Sequence, residues 1–263
     1  MGVPSTNGTG EGFFAGPLPR IFAHRGLATD VPENTLLAFL AALAIGVTHL
    51  ETDVRASADG VAVISHDADL VRMAGRVDRI DELDFDELKR IDLGHAQTYP
   101  SLEEALDTFP EARFNIDLKS DAVVIPAVEA ILRAQAVRRV LVTSFDNGRR
   151  LRALRALPGV ATSTSSVSFA GALLAVKFGL VPLARRLLRD VQAVQVPERS
   201  LGLRVISPQT VRRLKAAGVE VHVWTINEPA DMRRLLDWGV DGLVTDRADL
   251  ALEVLKAVRS ERE

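Results

Sequence analysis

Beyond Arg20 the chain alternates short apolar runs, rich in β-branched residues, with longer stretches whose apolar positions recur at helical spacing. A period near two gives way to one near 3.6 and back again, the pattern of strands joined by crossover helices. Strands are predicted at about 21–23, 48–54, 113–119, 139–144, 159–164, 192–196, 219–225 and 241–244. Eight strands with helical stretches between them predict an α/β fold in which a parallel sheet closes into a barrel. Helix ends carry their own signals. SLEEALDTF opens with Ser101 three residues before Glu104, a capping box, and SPQTVRRLKAAG places Pro208 in its first turn and Gly218 beyond its end. No break in composition marks a second domain, so residues 20–263 are read as one unit.

Two segments depart from plain alternation. In HLETDVRASADGVAVISHD two strand-like runs flank Asp59-Gly60, a hairpin turn signal. Alternation puts Glu51, Asp53 and Arg55 on one side of the first run and Thr52 and Val54 on the other. The returning run brings His66 opposite or next to Glu51 and Asp53. The second segment, SSVSFAGALLAVKFGLVPLARRLL, is interrupted by Lys177 and Pro182. It reads as one or two outer helices rather than a membrane span, with a lipid-facing or lid segment as the alternative.

Length agrees with the barrel, which needs about 250 residues to close, against 263 here. A net charge of -3 supplies no field for gripping nucleic acid, so any anionic ligand must be held locally. The absence of cysteine removes disulfides and thiolate metal sites and leaves oxygen and imidazole as ligands. Residues 1–19 are rich in Gly, Pro and small polar groups and lack the apolar core of a signal peptide. They are expected to form a flexible lead-in, and a cytoplasmic location is expected with them.

Barrels of this kind carry their chemistry at the C-terminal ends of the strands. His24 and Arg25 follow the first strand, Glu51 and Asp53 end the second, His66 ends the hairpin, Asp117 and Lys119 end the third, and Trp224 and Asn227 follow the seventh. His49, His95 and His222 are read as structural. A buried Glu51/Asp53 pair would repel unless a cation sat between them, and hard carboxylate ligands point to Mg²⁺ or Ca²⁺. A divalent cation with an arginine and a lysine favours a phosphate, while two histidines supply a proton donor and an acceptor. That set suits phosphodiester cleavage: one group protonates the departing alkoxide and the other takes a proton from the attacking hydroxyl.

The chain resembles the glycerophosphodiester phosphodiesterase family. The motifs are AHRG at 23–26, PENT at 32–35, ETD at 51–53, DG at 59–60, HD at 66–67, PSLEEAL at 100–106, NIDLK at 115–119, TSFD at 143–146, VWTIN at 223–227 and GLVTDR at 242–247. The resemblance implies a (β/α)8 TIM barrel related to that of phosphatidylinositol-specific phospholipases, with a small insertion after strand 2. It implies hydrolysis of a small-molecule glycerophosphodiester to sn-glycerol 3-phosphate and an alcohol. By the same resemblance His24 and His66 match the acid/base pair, Glu51 and Asp53 match metal ligands, Arg25 and Lys119 match phosphate-contacting cations, and Trp224 matches an aromatic near the substrate. Asp117 stands where the family usually has Glu as a further ligand, so its carboxylate is set back by one methylene. Thr52 stands where the family often has an apolar residue, and alternation points it away from the cavity. Two alternatives remain: a lysophospholipase D-type hydrolase guided by the apolar segment at 167–188, and a barrel that binds phosphodiesters without cleaving them.

Overall fold

In the computed structural model, which describes residues 12–200 and 202–261, the apolar runs become strands. They are β1 (Arg20–His24), β2 (His49–Ala56), β3 (Ala62–Ile64), β4 (Arg113–Leu118), β5 (Val140–Thr143), β6 (Ala161–Thr162), β7 (Ala193–Pro197), β8 (Arg199–Ser200), β9 (Leu203–Arg204), β10 (Glu220–Trp224) and β11 (Gly242–Thr245). Setting aside the hairpin partner β3 and the small β8–β9 ribbon, eight parallel strands run in the order β6-β5-β4-β2-β1-β11-β10-β7. The two ends of this path meet through a parallel bridge between Ser163 and Ala193. Gln192 N–H donates to Thr162 O at 3.1 Å and Thr164 N–H to Ala193 O at 3.2 Å, which nearly closes the cylinder. Each predicted strand is present within two residues of its expected ends.

Helices cover the outside of the sheet and bury their apolar stripes against it, so that Phe39, Leu102, Ile131, Leu214 and Leu235 join one continuous core with the strands. The expected caps form. Ser101 Oγ accepts from Glu104 N–H while Glu104 reaches back to Ser101 N–H, and Ser207 caps the helix Pro208–Ala216. The segment containing Lys177 and Pro182 makes two helices, Ser166–Lys177 and Val181–Leu187. The insertion after β2 has a core of its own, in which Leu70, Ile80, Leu88, Ile91 and Tyr99 pack on Val63 of β3.

Residues 1–11 of the expected lead-in lie outside the described residues. Residues 12–19, expected to be flexible, are anchored on the barrel at Phe13, while residues 16–18 stay exposed. Phe13 is 2% exposed, stacks on Phe22 of β1 at 6.1 Å between centroids and meets His49 edge-on at 5.2 Å. The Gly- and Pro-rich composition masked this anchor, because two adjacent phenylalanines carry enough apolar surface to hold a short segment.

His49 and His222 are structural, as expected. His49 is buried and neutral: its Nε2–H donates to Phe13 O at 2.9 Å, so Nδ1 accepts from Thr48 Oγ1 at 2.9 Å. Burial pushes its pKa down from 6.5 to about 3, opposed by the Phe13 carbonyl and reinforced by Arg20 and Arg113. The unfolded chain therefore takes up this proton first as pH falls. Stability contributed by the neutral ring is full above about pH 6.5 and is lost towards pH 3, at up to about 1.4 kcal/mol per pH unit. Urea unfolding of His49→Gln should show a flatter loss of stability between about pH 6 and pH 4.5 than the parent; equal slopes would remove His49 as the source.

Candidate active site

His24, Arg25, Glu51, Asp53, His66, Asp117, Lys119 and Trp224 all line one cavity of about 510 Å³ at the C-terminal ends of the strands. Strand register explains the convergence. The parallel pairing of β1 with β2 sets His24 beside Glu51, and that of β2 with β4 sets Asp53 beside Asp117. Glu51 and Asp53, two apart on β2, share the inward face. The antiparallel β3 pairs Ile64 with Val54, and Ser65 N–H donates to Asp53 O at 3.0 Å, so His66 leaves the ladder next to the acids, at the cavity rim. Arg55, the third residue of that alternating set, holds the turn by donating from Nε to His66 O at 2.9 Å.

The chain turns sharply after β1. Arg25 adopts φ 59° and Gly26 φ 86°, and a Cβ at Gly26 would come within 2.7 Å of the Ala38 backbone. Only glycine fits there, and the left-handed arginine costs about 1 kcal/mol. The turn is held by Arg25 N–H donating to Glu51 O at 3.0 Å and Asn34 N–H donating to Arg25 O at 2.9 Å.

Both candidate imidazoles are oriented by a carboxylate. His24 Nδ1 lies 2.6 Å from Asp246 Oδ1, and His66 Nδ1 lies 2.8 Å from Asp67 Oδ1. Burial raises the pKa of either aspartate, but hydrogen bonds from His24 and Asn227 to Asp246, and from His66 and Arg72 to Asp67, bring each below the usual carboxylate value. Ionised carboxylates only accept, so each Nδ1 carries a proton and each Nε2 is left as the nitrogen that can give or take one. His24 Nε2 lies 3.8 Å from Glu51 Oε2. Burial is the strongest influence on His24 and disfavours its charged form. Glu51 and Asp246 outweigh it, and the pKa is raised above the ordinary 6.5.

The acids are unequally compensated. Lys119 Nζ sits 2.7 Å from Asp53 Oδ1 and 2.7 Å from Asp117 Oδ2. Asp53 also accepts from Asn34 Nδ2 at 3.3 Å, and Arg25 Nε approaches its Oδ2 at 3.2 Å without hydrogen-bond geometry. Burial raises the Asp53 pKa, yet Lys119 and Arg25 bring it below the normal value. Asp117 is raised by burial despite Lys119, and its Oδ1 is buried with no hydrogen-bond partner. Glu51 is pushed up to about 8, by burial first and by the Asp53 charge second.

A divalent cation suits these residues by donor chemistry. They offer three carboxylates, one with an orphaned buried oxygen and one held up by like charge, and a hard cation would satisfy both. As the side chains stand, however, no three acidic or imidazole groups among the described residues form a cage. The expected trio of Glu51, Asp53 and Asp117 is interrupted because Lys119 bridges the two aspartates. Lys119, expected to contact phosphate, is thus first of all their counter-ion, although it also lines the cavity.

Several site residues were not singled out from the sequence. Asp246 and Asp67 orient the histidines, Glu33 accepts from Arg25 at 2.9 Å and from Arg72 at 2.6 Å, and Phe145 meets Trp224 edge-on at 6.1 Å. Asn227 is not a cavity residue: it donates to Asp246 at 2.7 Å and so supports His24 from behind. Thr52 points away from the cavity as expected but is tied to it, since its hydroxyl donates to Asn34 Oδ1 at 2.8 Å. A usable signal existed, because these residues sit inside or beside the short motifs at strand ends.

Comparison with known proteins agrees with this geometry. The model of the glycerophosphoryl diester phosphodiesterase family matches residues 24–250. A Mycobacterium tuberculosis protein named probable glycerophosphodiester phosphodiesterase 2 is 44% identical over 89% of this chain and 90% of its own length. Lysophospholipase D GDPD1 of Mus musculus is 28% identical, over 87% of this chain and 83% of its own. Among solved structures, an Oleispira antarctica phosphodiesterase in complex with the product sn-glycerol-3-phosphate superposes with a TM-score of 0.75 at 26% identity, covering 91% of this chain and 97% of that one. The chain is a phosphodiesterase on a (β/α)8 barrel and belongs to the glycerophosphoryl diester phosphodiesterase family.

Proposed function

We propose that the protein cleaves a glycerophosphodiester to sn-glycerol 3-phosphate and an alcohol, with His24 and His66 moving the protons through Nε2. One observation carries this reading: two imidazoles, each locked by a carboxylate at Nδ1, face one cavity that also holds three acids and two cations. One Nε2 takes the proton of the glycerol 2-hydroxyl as it attacks phosphorus and the other gives a proton to the departing alkoxide. Water then opens the resulting cyclic phosphate to sn-glycerol 3-phosphate, with the two rings exchanging roles. Arg25 and Lys119 favour the charge that builds on the phosphate oxygens. Glu51, Asp53 and Asp117 are the residues that would hold Mg²⁺ or Ca²⁺, which supplies further positive charge to the phosphate when bound. The orphaned Asp117 Oδ1 and the raised Glu51 favour that assignment.

The test is release of sn-glycerol 3-phosphate from glycerophosphocholine. Chelation with EDTA should abolish it and added Mg²⁺ or Ca²⁺ restore it; full activity in EDTA would remove the metal from the account. Asp246→Asn gives a second readout. Loss of that negative charge lowers the His24 pKa, so the limb of the pH–rate profile that reports His24 should move to lower pH as turnover drops by about tenfold. An unshifted profile would leave Asp246 outside the mechanism.

A lysophospholipid is a second reading, favoured by the apolar wall that Phe169, Ala170 and Leu173 give the cavity and by the similarity to a lysophospholipase D. Choline release from lysophosphatidylcholine, compared with sn-glycerol 3-phosphate release from glycerophosphocholine, separates the two.

A further inference from the structure

The helix Ser166–Lys177 lines the cavity with one face and turns another to solvent. Leu174 and Phe178 follow Gly171 at spacings of three and seven, so the three positions share that outer face. Phe178 is 78% and Leu174 59% exposed. On the neighbouring helix Val181–Leu187 and the turn before it, Leu180, Leu183 and Leu187 are each about half exposed and also fall at helical spacing. The two stripes meet, because a Cβ at Gly171 would lie 3.7 Å from Leu187 Cδ1. The result is a continuous apolar ridge beside the cavity mouth.

Its surroundings are cationic. No acidic residue occurs between Asp146 and Asp190, and the second half of that stretch holds four cations, Lys177, Arg185, Arg186 and Arg189. All four are exposed on or next to the ridge, with Arg189 paired to Asp190 at 3.3 Å. Lys177 and Arg185 donate to the backbone carbonyls of Arg204 and Ala216, which leaves their charge uncompensated by those bonds. Among the described residues no helix is long and apolar enough to cross a membrane. An apolar face with basic flanks is instead the composition of a helix seated in the headgroup region, where anionic lipids attract the cations.

We propose that this ridge docks the protein on an anionic phospholipid bilayer, next to the mouth of the cavity. A second copy of the chain is the poorer occupant, since a two-fold contact would press one cationic border against another. Seated this way, the cavity meets phosphodiesters at the level of the headgroups. The docking rests on the exposed ridge; only this last consequence rests on the proposed hydrolysis.

The test is co-sedimentation of the full chain with vesicles of phosphatidylcholine, with and without about one-third phosphatidylglycerol. The anionic vesicles should carry the protein down, the neutral ones should carry less, and added salt should weaken the binding. Phe178→Ser/Leu183→Ser should bind at least about tenfold more weakly while cleaving soluble glycerophosphocholine at the parent rate. The proposal is overturned if the parent stays in solution with anionic vesicles, or if the double variant binds as well as the parent. It is overturned equally if the substitutions dissolve a dimer on size exclusion and leave vesicle binding unchanged. Vesicle binding without turnover of the soluble substrate would sink the hydrolytic reading and leave the docking standing.

Discussion

Replacing His24 with alanine is expected to lower turnover of glycerophosphocholine by about 10²-fold or more with little change in stability, because positioned proton transfer contributes on that scale. The ring is not part of the packed core. It lies at the end of β1 and lines the cavity, and its side-chain hydrogen bond runs to Asp246. Deleting it leaves Asp246, whose side chain is about half exposed, to water, and takes from the buried Glu51 only a 3.8 Å contact, so the fold loses one oriented hydrogen bond and no apolar contact of weight. Circular dichroism and urea unfolding distinguish this from collapse. A folded variant at the parental rate would take His24 out of the mechanism.

Lys119→Met is expected to act the other way, on stability first. The methionine keeps most of the side-chain volume, but Asp53 and Asp117 lose the ammonium that lies 2.7 Å from each. Both carboxylates are buried, and stranding buried charge costs about 3–5 kcal/mol. Without Lys119 the lowered folded pKa of Asp53 loses its main support and that of Asp117, already raised by burial, goes higher, so the penalty appears as pH climbs past about 4 and is largest near neutrality. If the two aspartates belong to a cation site, Mg²⁺ or Ca²⁺ should recover part of the lost melting temperature. A variant as stable as its parent, with only phosphate affinity reduced, would return Lys119 to the simple anion-binding role expected from the sequence.

The barrel was legible because strand runs are short, apolar and punctuated, and because length and strand count agree. The site was legible where a polar residue interrupts such a run: His24, Glu51, Asp53 and Asp117 stand out because nothing apolar replaces them at a strand end. Residues that act through another residue were harder to see. Asp246 and Asp67 lie in loops, where an aspartate is ordinary, and only the pairing of β11 with β1 brings Asp246 to a ring 222 positions earlier in the chain. The bridging position of Lys119 depends on side-chain reach between two strands, which alternation does not specify. The anchoring of Phe13 failed to register for a different reason: two aromatic residues were outvoted by the glycines and prolines around them.

The most direct measurement is a double-mutant cycle on kcat/KM for release of sn-glycerol 3-phosphate from glycerophosphocholine, using the parent, His24→Ala, His66→Ala and the double variant, each checked for folding. Two imidazoles serving one displacement predict that either single substitution costs about 10²-fold or more and that the double variant is hardly slower than the worse single one. A folded single variant that retains the parental rate would contradict the shared role of the two rings.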